Sequence, residues 1–205
     1  MCFMGKKSID RQRGLWILAG LLTAIVTLVI VLSPYGAKPG HDYKLVRTEI
    51  TIDTPPEVVF EYLGNSANAS QWSTFVDHII PTNPGQFKDG EPGSTRRCFC
   101  KPNRTGMRWD ELITEVVPNQ KRQLIIYDLQ EFPMTADGLA TEQIYRSLGP
   151  ETTQLAFTLF FKDHQPTLFE KAKIYIAAYR VASIYKANMG NIKQLVEAKY
   201  RSAQP

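Results

Sequence analysis

The chain has 205 residues, of which 43% are hydrophobic and 21% charged, enough apolar material for a packed domain and too much for a disordered polymer. Its formal charge of +4, from 24 basic and 20 acidic side chains, is concentrated at the start, where Lys6, Lys7, Arg11 and Arg13 face only Asp10. The remainder is close to neutral and lacks the clustered Lys and Arg of a nucleic-acid footprint, and three cysteines exclude a disulfide scaffold.

After the basic flank (1–13), residues 14–32 read GLWILAGLLTAIVTLVIVL, without a charge. As a helix this run spans ~28 Å, the thickness of a bilayer core. Trp16 and Tyr35 flank it as interfacial anchors, and Pro34 stops the helix by disfavouring helical geometry at the residue before it. The run is longer than the ~7–15 apolar residues of a cleaved signal peptide, and Tyr35-Gly36-Ala37 is a poor cleavage site. A single uncleaved transmembrane helix over 14–33 is therefore expected. The Lys and Arg bias across it predicts a cytoplasmic N-terminus and a domain on the periplasmic or extracellular side.

Residues 34–43, rich in Gly, Pro and polar side chains, read as a linker. Residues 44–52 alternate, with Val46, Thr48, Ile50 and Ile52 on one parity, as in a strand with one buried face. Thr54 is placed to cap a helix that opens at Pro55-Pro56 and ends at Gly64, and a second short helix is expected over 66–72. From 75 to 161, β-rich runs at 76–80, 95–100, 107–117, 123–128, 140–147 and 153–161 alternate with turn clusters. Runs spaced this closely join as antiparallel hairpins, because parallel strands need long crossovers. From about 167 to 200, Ile174, Ala178, Val181, Tyr185, Ile192 and Leu195 recur at helical spacing, with Gly190 as a place to bend. Residues 201–205 form a tail. The fold class is α+β. A seven-stranded curved antiparallel sheet grips the long C-terminal helix, each covers the apolar face of the other, and a cavity is left between them.

Three stretches carry a resemblance. The run from Ile52 to Leu63 resembles the first strand and first helix of the START/Bet v1-like (SRPBCC) superfamily. Asn68 to Trp72 resembles its second helix, and Trp109-Asp110-Glu111 through Pro118-Asn119 is similar to the W-x-E strand of polyketide cyclase/dehydrase-like members. The likeness covers about residues 44–200. It implies a helix-grip fold with a cavity for a hydrophobic small molecule or lipid. Because members include carriers, receptors and aromatase/cyclases, it does not choose among activities.

Trp109, Glu111 and Ile113 share one strand face, so Glu111 is drawn inward with Trp109. A buried carboxylate needs a partner or a raised pKa, which makes Glu111 a weak candidate for general acid/base catalysis or a ligand anchor. The alternatives are a structural pair with Arg96 on the preceding strand, or a solvated cavity mouth. Cys98 and Cys100 lie on one strand face and read as small wall residues, since they are awkwardly spaced for a disulfide and His41, His78 and His164 are scattered. Asp77 and His78 are neighbours expected to point to opposite faces. The aromatics placed around the cavity are Tyr62, Trp72, Phe75, Trp109, Tyr127, Tyr145, Phe157 and Tyr179. The stretch from Phe132 to Leu139 has the composition of a lid, and Leu168-Phe169 with Lys171 and Lys173 suits contact with a membrane surface. No metal and no cofactor are expected. The function expected is a membrane-anchored binding module for an apolar small molecule or lipid, without chemistry. An aromatase/cyclase-type enzyme acting on a polyketide-like substrate, or a module whose cavity is filled by its own side chains, are the alternatives.

Overall fold

A computed structural model describes residues 5–39, 41, 43–132, 138–162 and 167–204. It divides into two compact units, Met1–Ser33 and Pro34–Pro205. The first is helix α1 (Gly5–Val31). Within it Gln12–Val31 is long and apolar enough to cross a membrane, and none of that stretch is buried by protein. Cys2, whose reducing environment follows from the expected orientation, lies outside the described residues.

The second unit is an open, fully antiparallel sheet of eight strands and a long C-terminal helix. In chain order the elements are β1 (Gly36–Ala37), β2 (Lys44–Ile52), α2 (Pro56–Gly64), a 3₁₀ turn (Ser66–Asn68), α3 (Ala69–Trp72), β3 (His78–Pro81), β4 (Thr95–Phe99), β5 (Arg108–Val117), β6 (Lys121–Gln130), β7 (Leu139–Gly149), β8 (Thr152–Phe161) and α4 (Leu168–Ala203). The sheet order is β1-β2-β8-β7-β6-β5-β4-β3. Each hairpin pairs with its neighbour in sequence, and β2 closes onto β8 across the chain, with Ile50 opposite Leu155. The sequence predicts seven strands. The eighth is β1, two residues that pair with Leu45 and Lys44, too short to show a periodicity.

The stretch expected as a linker therefore takes part in the domain. Tyr35 is buried with Val46, Ile174 and Ala178 and meets the Tyr175 ring edge-on at 5.5 Å. On the outer face of the sheet, Tyr43 stacks on Phe160 at 4.8 Å.

Inward-facing residues of the strands meet α2 and α4 in the main core, where Ile52, Val59, Leu155, Met189, Ile192 and Val196 are almost fully enclosed. Strand alternation produces this, since every second residue of β2 and β8 faces the helix. The α4 stripe is continuous through Gly190, and α4 is one helix of 36 residues, ~54 Å long. A reciprocal capping box starts it, with Thr167 Oγ1 accepting from the Glu170 N–H and the Glu170 carboxylate accepting from the Thr167 N–H. At the start of α2, by contrast, Pro55 is the N-cap and no side chain caps the helix. Thr54, expected in that role, is fully buried with its hydroxyl unpartnered, while its carbonyl accepts from Thr153 Oγ1 at 2.6 Å. Two consecutive prolines move the helix start by one residue and turn the Thr54 hydroxyl away.

Candidate functional site

Between the concave sheet and α4 lies a cavity of about 210 Å³. Most of its wall is apolar. Leu124 and Ile126 come from β6, Phe157 and Leu159 from β8, Val181 and Ile184 from α4, and Trp72 closes α3. Phe75, Trp109 and Phe132 form an aromatic group on the wall: Phe75 stacks on Trp109 at 5.8 Å, and Phe132 meets the Trp109 ring edge-on at 5.6 Å. Of the stretch expected as a lid, Phe132 and Leu139 line the cavity, and residues 133–137 lie outside the described ones.

One part of the wall is polar. β4 and β5 pair with Arg96 opposite Glu111, so strand register alone brings the two side chains together. Arg96 Nε donates to Glu111 Oε2 at 2.7 Å, and the Trp109 indole N–H donates to Glu111 Oε1 at 2.9 Å. Burial opposes the Arg96 charge, but Glu111 more than offsets this and holds the guanidinium above its ordinary pKa. Each carboxylate oxygen thus accepts one hydrogen bond, and the pair with Arg96 named among the alternatives for Glu111 is formed. Tyr185 and Thr141 share a hydrogen bond at 3.1 Å across the cavity wall, and burial pushes the Tyr185 phenol up to about 12.

Behind that wall Arg122 is buried among neutral acceptors. It donates to Gln143 Oε1 at 3.2 Å, to the Tyr145 hydroxyl at 3.1 Å and to the Gly90 and Phe60 carbonyls, and its guanidinium lies over the Phe60 ring at 4.3 Å. Burial lowers its pKa. Gly90, at φ +81, passes so close to the Gly64 carbonyl that a Cβ would sit 2.6 Å from the oxygen, so only glycine fits this crossing.

Of the residues proposed from sequence, Trp72, Phe75, Trp109, Glu111 and Phe157 come together on the wall. The other six lie elsewhere. Tyr62 is in the core below α2 and donates to Gln71 Oε1 at 3.1 Å. Tyr145 is in the same core, donating to Gln143 Oε1 at 2.5 Å, and burial raises it to about 12. Cys98 is fully buried opposite Trp109, its thiol pushed well above the ordinary value by burial and then by Glu111. Cys100 lies beyond the end of β4, half-buried, with its thiol raised by burial to about 11. Tyr127, opposite Asp110 on the outer face, and Tyr179 on α4 are both exposed. Asp77 and His78 do meet, at 2.7 Å, contrary to the strand-neighbour expectation: β3 begins only at His78, so alternation does not govern Asp77. They do not line the cavity. Among the described residues no group of three His, Cys, Asp or Glu is placed to hold a metal.

Gln143 and Asn188 are wall residues that the sequence reading passed over. Both carried a signal. Gln143 shares the inward parity of Thr141 and Tyr145, and Asn188 falls on the Val181, Tyr185, Ile192 stripe.

A family profile described as polyketide cyclase / dehydrase and lipid transport matches residues 44–197. No curated protein matches the sequence. Among solved structures, the chain is similar to the ZhuI aromatase/cyclase from Streptomyces sp. R1128, with 16% identity, a TM-score of 0.56, and coverage of 78% of this chain and 96% of that one. It is also similar to a START superfamily protein from Mycobacterium smegmatis (12% identity, TM-score 0.51, 78% and 99% covered) and to a protein from Chromobacterium violaceum (13%, 0.53, 75% and 96%). At these identities the likeness concerns the fold.

Proposed function

The chain belongs to the polyketide cyclase / dehydrase and lipid transport family, and from that premise we propose that it is a membrane-anchored module holding a hydrophobic small molecule or lipid between sheet and helix. The observation that carries this reading is the cavity itself, apolar over most of its wall and polar at one place. Glu111 supports binding over catalysis. With one oxygen held by Trp109 and the other by Arg96, it is fixed as one half of a buried ion pair, a role that positions the wall rather than moves protons.

Anchoring is supported by α1, whose apolar side chains find no protein to cover them. Basic residues before the span and few after it support a cytoplasmic N-terminus with the domain outside. The start of α4 adds a second lipid contact in this reading. Leu168 and Phe169 are 85% and 71% exposed, and Lys171 and Lys173 lie beside them.

The test is purification of the full chain from membranes, organic extraction and mass spectrometry of what comes with it. An apolar compound in stoichiometric amount, absent from empty membranes treated alike, is the expected result. A guest-free protein that takes up no apolar probe refutes the binding reading, and release of the chain from membranes by alkaline carbonate refutes the anchor.

A further inference from the structure

The polar part of the cavity wall holds three nitrogens with hydrogens to donate and no partner among the described residues. The first is Gln143 Nε2. An amide can face either way, but Arg122 Nη1 and the Tyr145 hydroxyl both donate to the same Gln143 atom, which must therefore be the oxygen. The NH₂ end is left for the cavity that Gln143 lines. Asn188 is fixed in the same way. Its oxygen accepts from the Thr74 N–H at 2.8 Å and the Thr74 hydroxyl at 3.0 Å, and its Nδ2 is left over on the same wall. The third is Arg96 Nη2, since Nε is given to Glu111 and Nη1 to Ser66. None of the three is sealed away from open space, as the only buried side-chain atom lacking a partner among the described residues is the Thr54 hydroxyl.

The acidic groups beside these donors are already engaged. Glu111 has one donor on each oxygen, and Asp89, whose charge acts on both Arg96 and Arg122, accepts from the Ser66 N–H and hydroxyl. The charges also balance, with two buried arginines against Glu111 and Asp89. A guest that brought a carboxylate would carry an uncompensated charge out of water, whereas an alkane would leave the three donors unanswered.

We propose that the guest is apolar but carries a neutral oxygen acceptor, a ketone or ester carbonyl, which takes the hydrogen bond that Gln143 Nε2 offers. This rests on the binding reading above and names the ligand class for the same cavity. Arg122 is a positioning residue: it never meets the guest, and it sets which end of the Gln143 amide does.

The experiment uses the full chain in phosphatidylcholine nanodiscs, with empty nanodiscs as the blank. Three probes of equal chain length are equilibrated with it at pH 8: 2-dodecanone, laurate and dodecane. The ketone is expected to be retained at one per chain, at least fivefold above the other two. Gln143→Glu keeps an acceptor for Arg122 and Tyr145 and exchanges the cavity-facing donor for an oxygen, so it is expected to abolish the preference for ketone over dodecane, read as the ratio of the two retained by the same folded variant. Laurate retained as well as the ketone, or an unchanged preference in Gln143→Glu, overturns the inference and leaves the binding reading intact. Retention of none of the three overturns both.

Discussion

Arg96 and Glu111 are each less than a tenth exposed, so each is tolerable only because of the other. Removing one charge strands its partner away from water, and Glu111→Gln is expected to destabilise the domain by about 3–5 kcal/mol in urea titration. Pairing the change with Arg96→Met is expected to return most of that loss, which a purely catalytic glutamate would not do. Alkaline pH probes the same interior. Tyr145 and Tyr185 sit at about 12 in the folded protein against an ordinary 10.0, chiefly through burial, so the folded chain keeps protons that the unfolded chain releases. The contribution of these two phenols is then constant up to about pH 10 and is lost as pH rises toward 12, after the Cys98 and Cys100 thiols have begun the decline nearer pH 9, and Tyr145→Phe is expected to flatten the slope above pH 10. Parity along β4 and β5 made the Arg96–Glu111 pair legible from sequence alone. It could not reveal Arg122, Gln143 and Tyr145 as a cluster, because no short turn fixes the β6–β7 register that sets Arg122 opposite Gln143, and parity does not say how side chains turn under α2.

Elements were read best where a period runs long. The α4 stripe and the strand alternation are repeated enough times that no single residue decides them. Short or local features were lost. β1 has two residues, and the Pro55-Pro56 pair shifts the α2 cap off Thr54. Gly190 was expected as a place to bend, yet α4 runs through it without a break, and a Cβ added there meets nothing within 4 Å. Gly190→Ala is therefore expected to raise stability by roughly 0.5–1 kcal/mol, through the backbone freedom that glycine keeps when unfolded. At the other end of the helix, Thr167→Ala removes half of the capping box and is expected to cost about 1 kcal/mol. Thermal unfolding of the two variants should move Tm in opposite directions.

For the whole molecule, the decisive boundary lies between Ser33 and Pro34, where the two compact units divide. A fragment that begins at Pro34 retains β1 and Tyr35, whereas one that begins at Lys44 exposes the pocket formed by Val46, Ile174 and Ala178. The shorter fragment is expected to be less stable by roughly 2 kcal/mol, the contribution of one large buried side chain, as read by denaturant midpoint.

Tyr35 also ends the free connection that follows α1. Tyr35 lies four residue steps after Val31, with three residues between, a reach of at most ~14 Å when fully extended, and Tyr35 is itself fastened to α4 by Ile174 and Tyr175. On the anchoring proposed above, the segment after the span would have little slack, because its fourth residue is already buried in the domain. On that proposal the cavity would be filled and emptied without the chain leaving its membrane, as a fixed berth rather than a ferry through open water.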